Sequence, residues 1–214
     1  MNSKTGKITA IAMLCAVSYT AMAAGRIPVV LFLKYDPKDV IITLGGLIWG
    51  PFTALIVSVI VSFIEMVTVS DTGIIGCMMN ILSTCAFACT ASVIYQKKHT
   101  LSGAVIGLAA GALTMTCVML LWNYLITPLY LGYSREAVAK LLLPAFLPFN
   151  LIKSGLNAAL TFLLYKPVIT ALRKSGYISA GSSGPGERHM GMILAAAAVV
   201  LACILLILSM IGVI

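Results

Sequence analysis

The chain has 214 residues, of which 61% are hydrophobic and only 9% charged, and its mean hydropathy is +1.08. A soluble domain carries about 25% charged residues, so this composition excludes a soluble globular protein and requires an integral membrane one. The formal net charge of +8 would suggest nucleic acid in a soluble protein, but here the basic residues fall in short connectors, where they set topology, and no nucleic-acid partner is expected.

Apolar runs predict spans at about 8–25, 40–49, 52–69, 76–95, 102–124, 145–172 and 192–214, which makes the fold an all-α, polytopic membrane bundle. Lys4 and Lys7 precede the first run, which ends in "AMAAG". Ala21 and Ala23 imitate a signal-peptide cleavage site, but small residues also suit helix interfaces, and an uncleaved first helix explains the topology equally well. Ala12, Ala16 and Thr20 form a stripe at four-residue spacing, suited either to packing within the bundle or to docking against another membrane protein. The second run is too short to cross a bilayer upright, since about 20 residues are needed. It meets the third at Gly50-Pro51, a tight break. The connectors "KYDPKD" (34–39) and "SDTG" (70–73) are rich in turn residues. In the fifth span Gly103, Gly107 and Gly111 would let a neighbouring backbone approach closely.

The six cysteines lie in apolar runs without a C-x-x-C, and both histidines, His99 and His189, sit in polar connectors. Neither a metal site nor a catalytic dyad is expected. No P-loop, H-E-x-x-H or G-x-S-x-G occurs, so the chain reads as a non-enzyme.

Lys4 and Lys7, then Lys97, Lys98 and His99, then Arg173 and Lys174 fall on alternate connectors, which places those connectors and the N-terminus in the cytoplasm. Arg26, Lys34 and Lys38 then lie outside, against the rule, so the 26–39 connector is kept for a purpose other than topology. From 175 the chain reads "SGYISAGSSGPGERHM", a Gly/Ser linker. The expected organisation is a membrane domain over 1–174, a cytoplasmic linker over 175–191, and an additional helix over 192–214. With only Ser209 as a polar side chain among its residues, that last helix reads as an appended anchor or lipid-facing helix.

Polar side chains share one depth. Asn150, Lys153 and Asn157, in "LPFNLIKSGLNA", are spaced i, i+3, i+7 and project from one helix face. Glu65 and Asn80 lie four residues inside the outer ends of their spans, about 6 Å at 1.5 Å per residue. Asn123 sits at the outer end of the fifth span beside Trp122. One account is interhelical hydrogen bonding, with a Glu65–Lys153 ion pair. Such bonds are worth only about 0.6 kcal/mol on average, whereas a lysine in hydrocarbon costs roughly 2.5–3.5 kcal/mol. A binding pocket open to the outside explains the shared depth better. Its aliphatic walls, amides and ammonium suit a flat, largely uncharged heterocycle with a polar tail. A stand-alone secondary transporter using Glu65 as the proton or cation carrier is the rival reading.

The segments "FLKYDPKDV", "GPFTALIVSVIVSFIEM", "TGIIGCMMN", "NYLITPLYLG" and "LPFNLIKSGLN" resemble the riboflavin-type substrate-binding S components of energy-coupling-factor (ECF) vitamin transporters, over about residues 8–174. The resemblance implies a six-helix core in a bacterial plasma membrane, with the final helix as an addition. It implies that Asn123, Asn150 and Lys153 contact riboflavin, that Leu33, Lys34 and Tyr35 cover it, and that Gly76 lies near the ring; Asn80 joins this set from its depth. Ala12 and Ala16 match the family's alanine motif for docking the transmembrane coupling subunit. Two separate ATPase subunits would supply energy, and riboflavin would be the transported ligand, with no cofactor. Glu65 acquires no ligand role from the resemblance.

Overall fold

A computed structural model describes residues 4–30, 33–70, 72–175 and 190–211. Most of the expected linker (176–189, with His189), Leu31, Phe32, Asp71 and the last three residues of the expected final span lie outside the described residues.

The first helix, α1 (Lys4–Gly25), ends where Pro28 forbids further helix, and two short strands follow: β1 (Ile27–Val30) and β2 (Leu33–Tyr35). They pair antiparallel, with Ile27 opposite Tyr35 and Pro28 opposite Lys34. Next comes α2 (Lys38–Trp49), with Asp39 in its first turn, where a carboxylate complements the helix dipole. Gly50 then adopts φ 104°, a conformation only glycine takes without strain, and Pro51 opens α3 (Pro51–Thr68). The break expected at Gly50-Pro51 is therefore real.

The chain continues through α4 (Gly73–Lys97) and α5 (Leu101–Leu131). The fifth helix runs on past the apolar run that ends near 124, through Pro128, and stops at Gly132 with φ 68°. Asn123 thus stands two turns inside its helix rather than at its end. Ser134 caps the short α6 (Arg135–Leu141), accepting a hydrogen bond from the Ala137 amide at 3.2 Å. One wide π-type turn over Leu142–Phe146 then leads into α7 (Leu147–Lys174). Pro144 lies in that turn and has no N–H for an α-helical bond, which accounts for the widening. The last helix is α8 (Met190–Ile211).

Six of these helical stretches are long and apolar enough to cross a membrane: 5–25, 51–68, 73–97, 101–129, 135–172 and 190–210. The short α2 makes a seventh helix and needs no lipid contact, because it packs among α1, α3, α4 and α7. Gly45 and Gly46 allow this approach: an added Cβ would meet the Leu14 side chain at the first and Ser92 and Ala54 at the second.

The glycine stripe of α5 turns inward. A Cβ at Gly107 would lie 2.7 Å from the Ala91 carbonyl oxygen, and one at Gly111 would lie 2.7 Å from that of Phe87, so α4 and α5 meet backbone to backbone. Ala12, Ala16 and Thr20 instead point out of the bundle. Gly107→Leu should therefore destabilise the fold by the ~1–3 kcal/mol typical of overpacking, whereas Ile106→Leu, one residue away and 52% exposed, should be neutral; thermal unfolding in detergent reads the difference.

Candidate functional site: a charge-balanced cluster under the hairpin

The first turn of α2 carries adjacent charges, Lys38 and Asp39, both fully buried. Lys38 is ion-paired to Glu65 on α3 and lies 3.9 Å from Asp36. Asp39 takes three donors: the Thr84 hydroxyl at 2.7 Å, the Asn157 amide at 3.3 Å and the Lys153 ammonium at 3.3 Å. Glu65 also accepts from the Asn80 amide at 2.9 Å and is ion-paired to Arg26. Arg26 donates through Nε to Asp36 at 2.8 Å. Three cations (Arg26, Lys38, Lys153) and three carboxylates (Asp36, Asp39, Glu65) thus interleave and balance one another, with Thr84, Asn157 and Asn80 as further donors. That is the condition under which buried charges are tolerated.

The Glu65–Lys153 pair suggested by the shared depth does not form: Glu65 is taken by Arg26 and Lys38, and Lys153 by Asp39. The predicted face of α7 is otherwise as read, with Asn150, Lys153 and Asn157 all buried. Four members of the cluster, Arg26, Asp36, Lys38 and Asp39, escaped the choice of site residues. Their signal was present in basic residues placed against the positive-inside rule and in a K-D pair opening a helix too short to span.

Outside the membrane helices the cluster shifts protonation in the expected directions. Burial pushes the Asp36 carboxyl up, but Lys38, Lys153 and Arg26 outweigh it and hold the group below the ordinary carboxylate value. Burial likewise opposes the charge on Arg26, while Asp36 and Glu65 hold it more firmly protonated than usual. The Tyr35 phenol is raised by burial and by the charges of Asp39 and Asp36, so it stays neutral.

A cavity of about 50 Å³ lies within this cluster. Charged walls come from Arg26, Lys34, Asp36, Glu65 and Lys153, an amide from Asn80, hydroxyls from Ser70 and Thr72, and apolar surface from Leu33 and Met79. Thr72 and Met79 also line a smaller space, about 10 Å³, between Gly76 and Trp122. The two spaces share Thr72 and Met79 as walls, so the charged cavity and the small apolar slot between α4 and α5 lie side by side. Two larger clefts, about 690 and 320 Å³, lie between α5, α7 and α8; their linings are mostly apolar, with Lys166 and Lys174 among the residues of the first.

Of the residues expected at the site, Leu33, Lys34, Asn80 and Lys153 line the cavity and Gly76 lines the slot. Tyr35 is buried beside them, with its hydroxyl lacking a hydrogen-bond partner among the described residues. Asn123 reaches the slot only through Thr127, whose hydroxyl donates to the Asn123 Oδ1 at 3.2 Å; its own amide donates to the Met119 carbonyl at 2.8 Å. Asn150 is buried one turn before Lys153 and donates to the Phe146 carbonyl at 2.7 Å. Ala12 and Ala16 are remote from the site, on the exposed face of α1.

Residues 6–165 match the family described as ECF transporter, substrate-specific component. The chain belongs to this family. It is a transporter component, not an enzyme. Its relatives include the riboflavin transporter FmnP of Bacillus subtilis (strain 168), 26% identical over 80% of this chain and 98% of the relative. A second is the riboflavin transporter RibU of Staphylococcus aureus (strain TCH60), 25% identical over 78% of this chain and 93% of the relative. Among solved structures, the S component of a bacterial ECF transporter superposes with a TM-score of 0.69 at 24% identity, covering 80% of this chain and 99% of that one. The expected fold, a six-helix S-component core with an additional C-terminal helix, is thereby supported, and α8 lies past the end of the family match.

For this S component, Asp39→Asn leaves the Lys153 ammonium buried without its anion. Breaking such a pair from one side typically costs about 3–5 kcal/mol, so the variant should unfold at a markedly lower temperature. Adding Lys153→Met removes the stranded charge and should restore much of the loss; a double variant as unstable as the single one would mean that Asp39 acts through Thr84 and Asn157 instead.

Proposed function

We propose that the chain captures riboflavin at the outer face of the bacterial plasma membrane and delivers it through an ECF complex of one transmembrane coupling subunit and two ATPase subunits. The observation that carries the reading is the adjacency of the charged cavity at Lys153 and the apolar slot between Gly76 and Trp122, which share Thr72 and Met79 as walls. A flavin has that shape: a flat ring for the slot and a hydroxylated tail for amide and ammonium donors. The names of the relatives, matched over nearly their whole length, point the same way.

In this reading the isoalloxazine ring enters beside Gly76 and Trp122, with Asn123 fixing Thr127 behind it. Lys153, Asn80 and Asn150 serve the polar parts, and Leu33, Lys34 and Tyr35 close over the ligand. Drug-sized ligands occupy about 300–1,000 Å³, far more than the 50 Å³ cavity, so binding requires the walls to part. The β1–β2 hairpin is the wall that parts, since a two-stranded hairpin is marginal by itself and depends on the Arg26 pairs at its base and on packing against α7 and α8. Glu65 fits the rival role of a coupling carrier poorly, because Arg26, Lys38 and Asn80 all hold its charged form. It acts as a structural anion.

Riboflavin added to the purified protein should quench tryptophan emission. Only two tryptophans occur in the chain, and Trp122 is the one at the slot, so Trp122→Phe should remove most of the quenching. Lys153→Met, made together with Asp39→Asn so that no buried charge is stranded, should weaken binding roughly ten- to hundredfold relative to Asp39→Asn alone, the equivalent of about 1.5–3 kcal/mol for a charged donor. An unquenched protein that carries no flavin after purification would overturn the ligand.

The exposed small-residue face of α1 fits the coupling subunit, since small side chains let helix backbones approach closely in a membrane. Ala16→Leu should leave riboflavin affinity unchanged while sharply reducing cellular uptake; normal uptake would remove α1 as the docking face.

A further inference from the structure

A helix that only anchored the chain would turn an undifferentiated apolar surface to lipid. The last helix does not. Leu194, Leu201 and Leu205 are 63%, 60% and 48% exposed, while Cys203 and Ile207, one turn apart on one face, are 7% and 6% exposed. Those two side chains join the cluster formed by Val29, Leu33 and Tyr35 of the hairpin with Ile152 and Leu156 of α7. Cys203 stands over Gly155, where an added Cβ would come 3.8 Å from its sulfur, so a missing side chain on α7 makes room for α8. The helix also packs directly on β1.

Leu33 links this packing to the site, because it belongs both to the cluster that α8 completes and to the wall of the Lys153 cavity. We propose that α8 is a clamp on the substrate cover, in which Cys203 and Ile207 hold the β1–β2 hairpin against α7 and thereby set the rate at which ligand leaves. Neither residue lines the cavity, so both are positioning residues acting through Leu33 and its neighbours. The clamp lies past the end of the family match at residue 165, which makes it an addition to the shared S-component core. Its effect on ligand exchange rests on the riboflavin reading above; its effect on the hairpin does not.

The full chain in lipid nanodiscs tests both parts. Riboflavin release, followed by stopped-flow recovery of tryptophan emission, should be roughly tenfold faster in Ile207→Ala than in the unmodified protein, the off-rate being where affinity differences usually reside. Ile207→Val should release at nearly the unmodified rate, and Leu201→Ala, on the exposed face, should change nothing. A merely stabilising role would lower the unfolding temperature of Ile207→Ala and leave release unaltered, which would overturn the clamp. Hydrogen exchange at the amides of β1 and β2 gives a readout without ligand: it should speed up in Ile207→Ala while the α4–α5 contact stays protected. Unchanged exchange there overturns the proposal whether or not riboflavin binds. Failure of the unmodified chain to bind riboflavin, with accelerated exchange in the variant, would sink the ligand and leave the clamp standing. If Ile207→Ala fails to insert, Cys203→Ala carries the same expectations.

Discussion

Everything at the hairpin end of this molecule depends on the Lys38-Asp39 pair that opens α2. A buried cation and a buried anion sit side by side in one helical turn, each satisfied from a different direction. Lys38 draws in Glu65 from α3, and Asp39 draws in Thr84 from α4 with Lys153 and Asn157 from α7. Three long helices are thereby registered on a short one that could not stand alone in lipid. Removing any one charge would strand its partner in a medium that penalises unpaired ions, so the cluster is stable only as a whole.

The same cluster reaches the β1–β2 hairpin, the proposed cover. Arg26 immediately precedes β1 and Asp36 immediately follows β2, and their 2.8 Å contact closes the base of the hairpin. Arg26 is also tied to Glu65, so the base of the hairpin and the walls of the cavity share one set of charges. A ligand that inserts a polar group beside Lys153 competes for partners already in use. Polar rearrangement at the cavity and movement of the hairpin are therefore coupled through shared atoms, without any need for a relay across the protein. The far side of the hairpin is held differently, by apolar packing against α7 and α8, which can yield without stranding a charge.

The sequence made some of this legible and hid the rest for definable reasons. The polar face of α7 could be read because Asn150, Lys153 and Asn157 obey helical spacing, and a lysine in an apolar run demands an explanation. The basic residues of 26–39 announced themselves by breaking the charge rule. What could not be read was pairing. Glu65 and Lys153 shared a depth, but three carboxylates and three cations meet in the cluster, and only the path of α2 between α3 and α7 decides that Asp39 takes Lys153. The reach of α5 was underestimated for a different reason: Asn123 ended the uninterrupted apolar run, yet an amide that donates to the Met119 carbonyl and accepts from Thr127 is satisfied inside a helix. The glycines of α5 and the alanines of α1 carry the same kind of spacing; that one stripe packs inward and the other faces out follows from the neighbours, which spacing does not encode.

The two ends of the bundle are built on opposite physical terms. Charge in a bilayer is least costly near the interface and most costly at the centre, so six interleaved charges could be assembled only close to one surface. There a hairpin can also exclude the water that would otherwise weaken their attraction. Toward the other end the grooves are largely apolar, as between α5, α7 and α8, and α1 exposes Ala12 and Ala16 beside Ile8, Met13 and Val17. Specific recognition of a polar solute requires the first environment, while a surface that must slide against other membrane proteins or lipid requires the second. Dividing them along the helix axis would let the proposed site tighten around a ligand without altering the apolar surfaces at the other end.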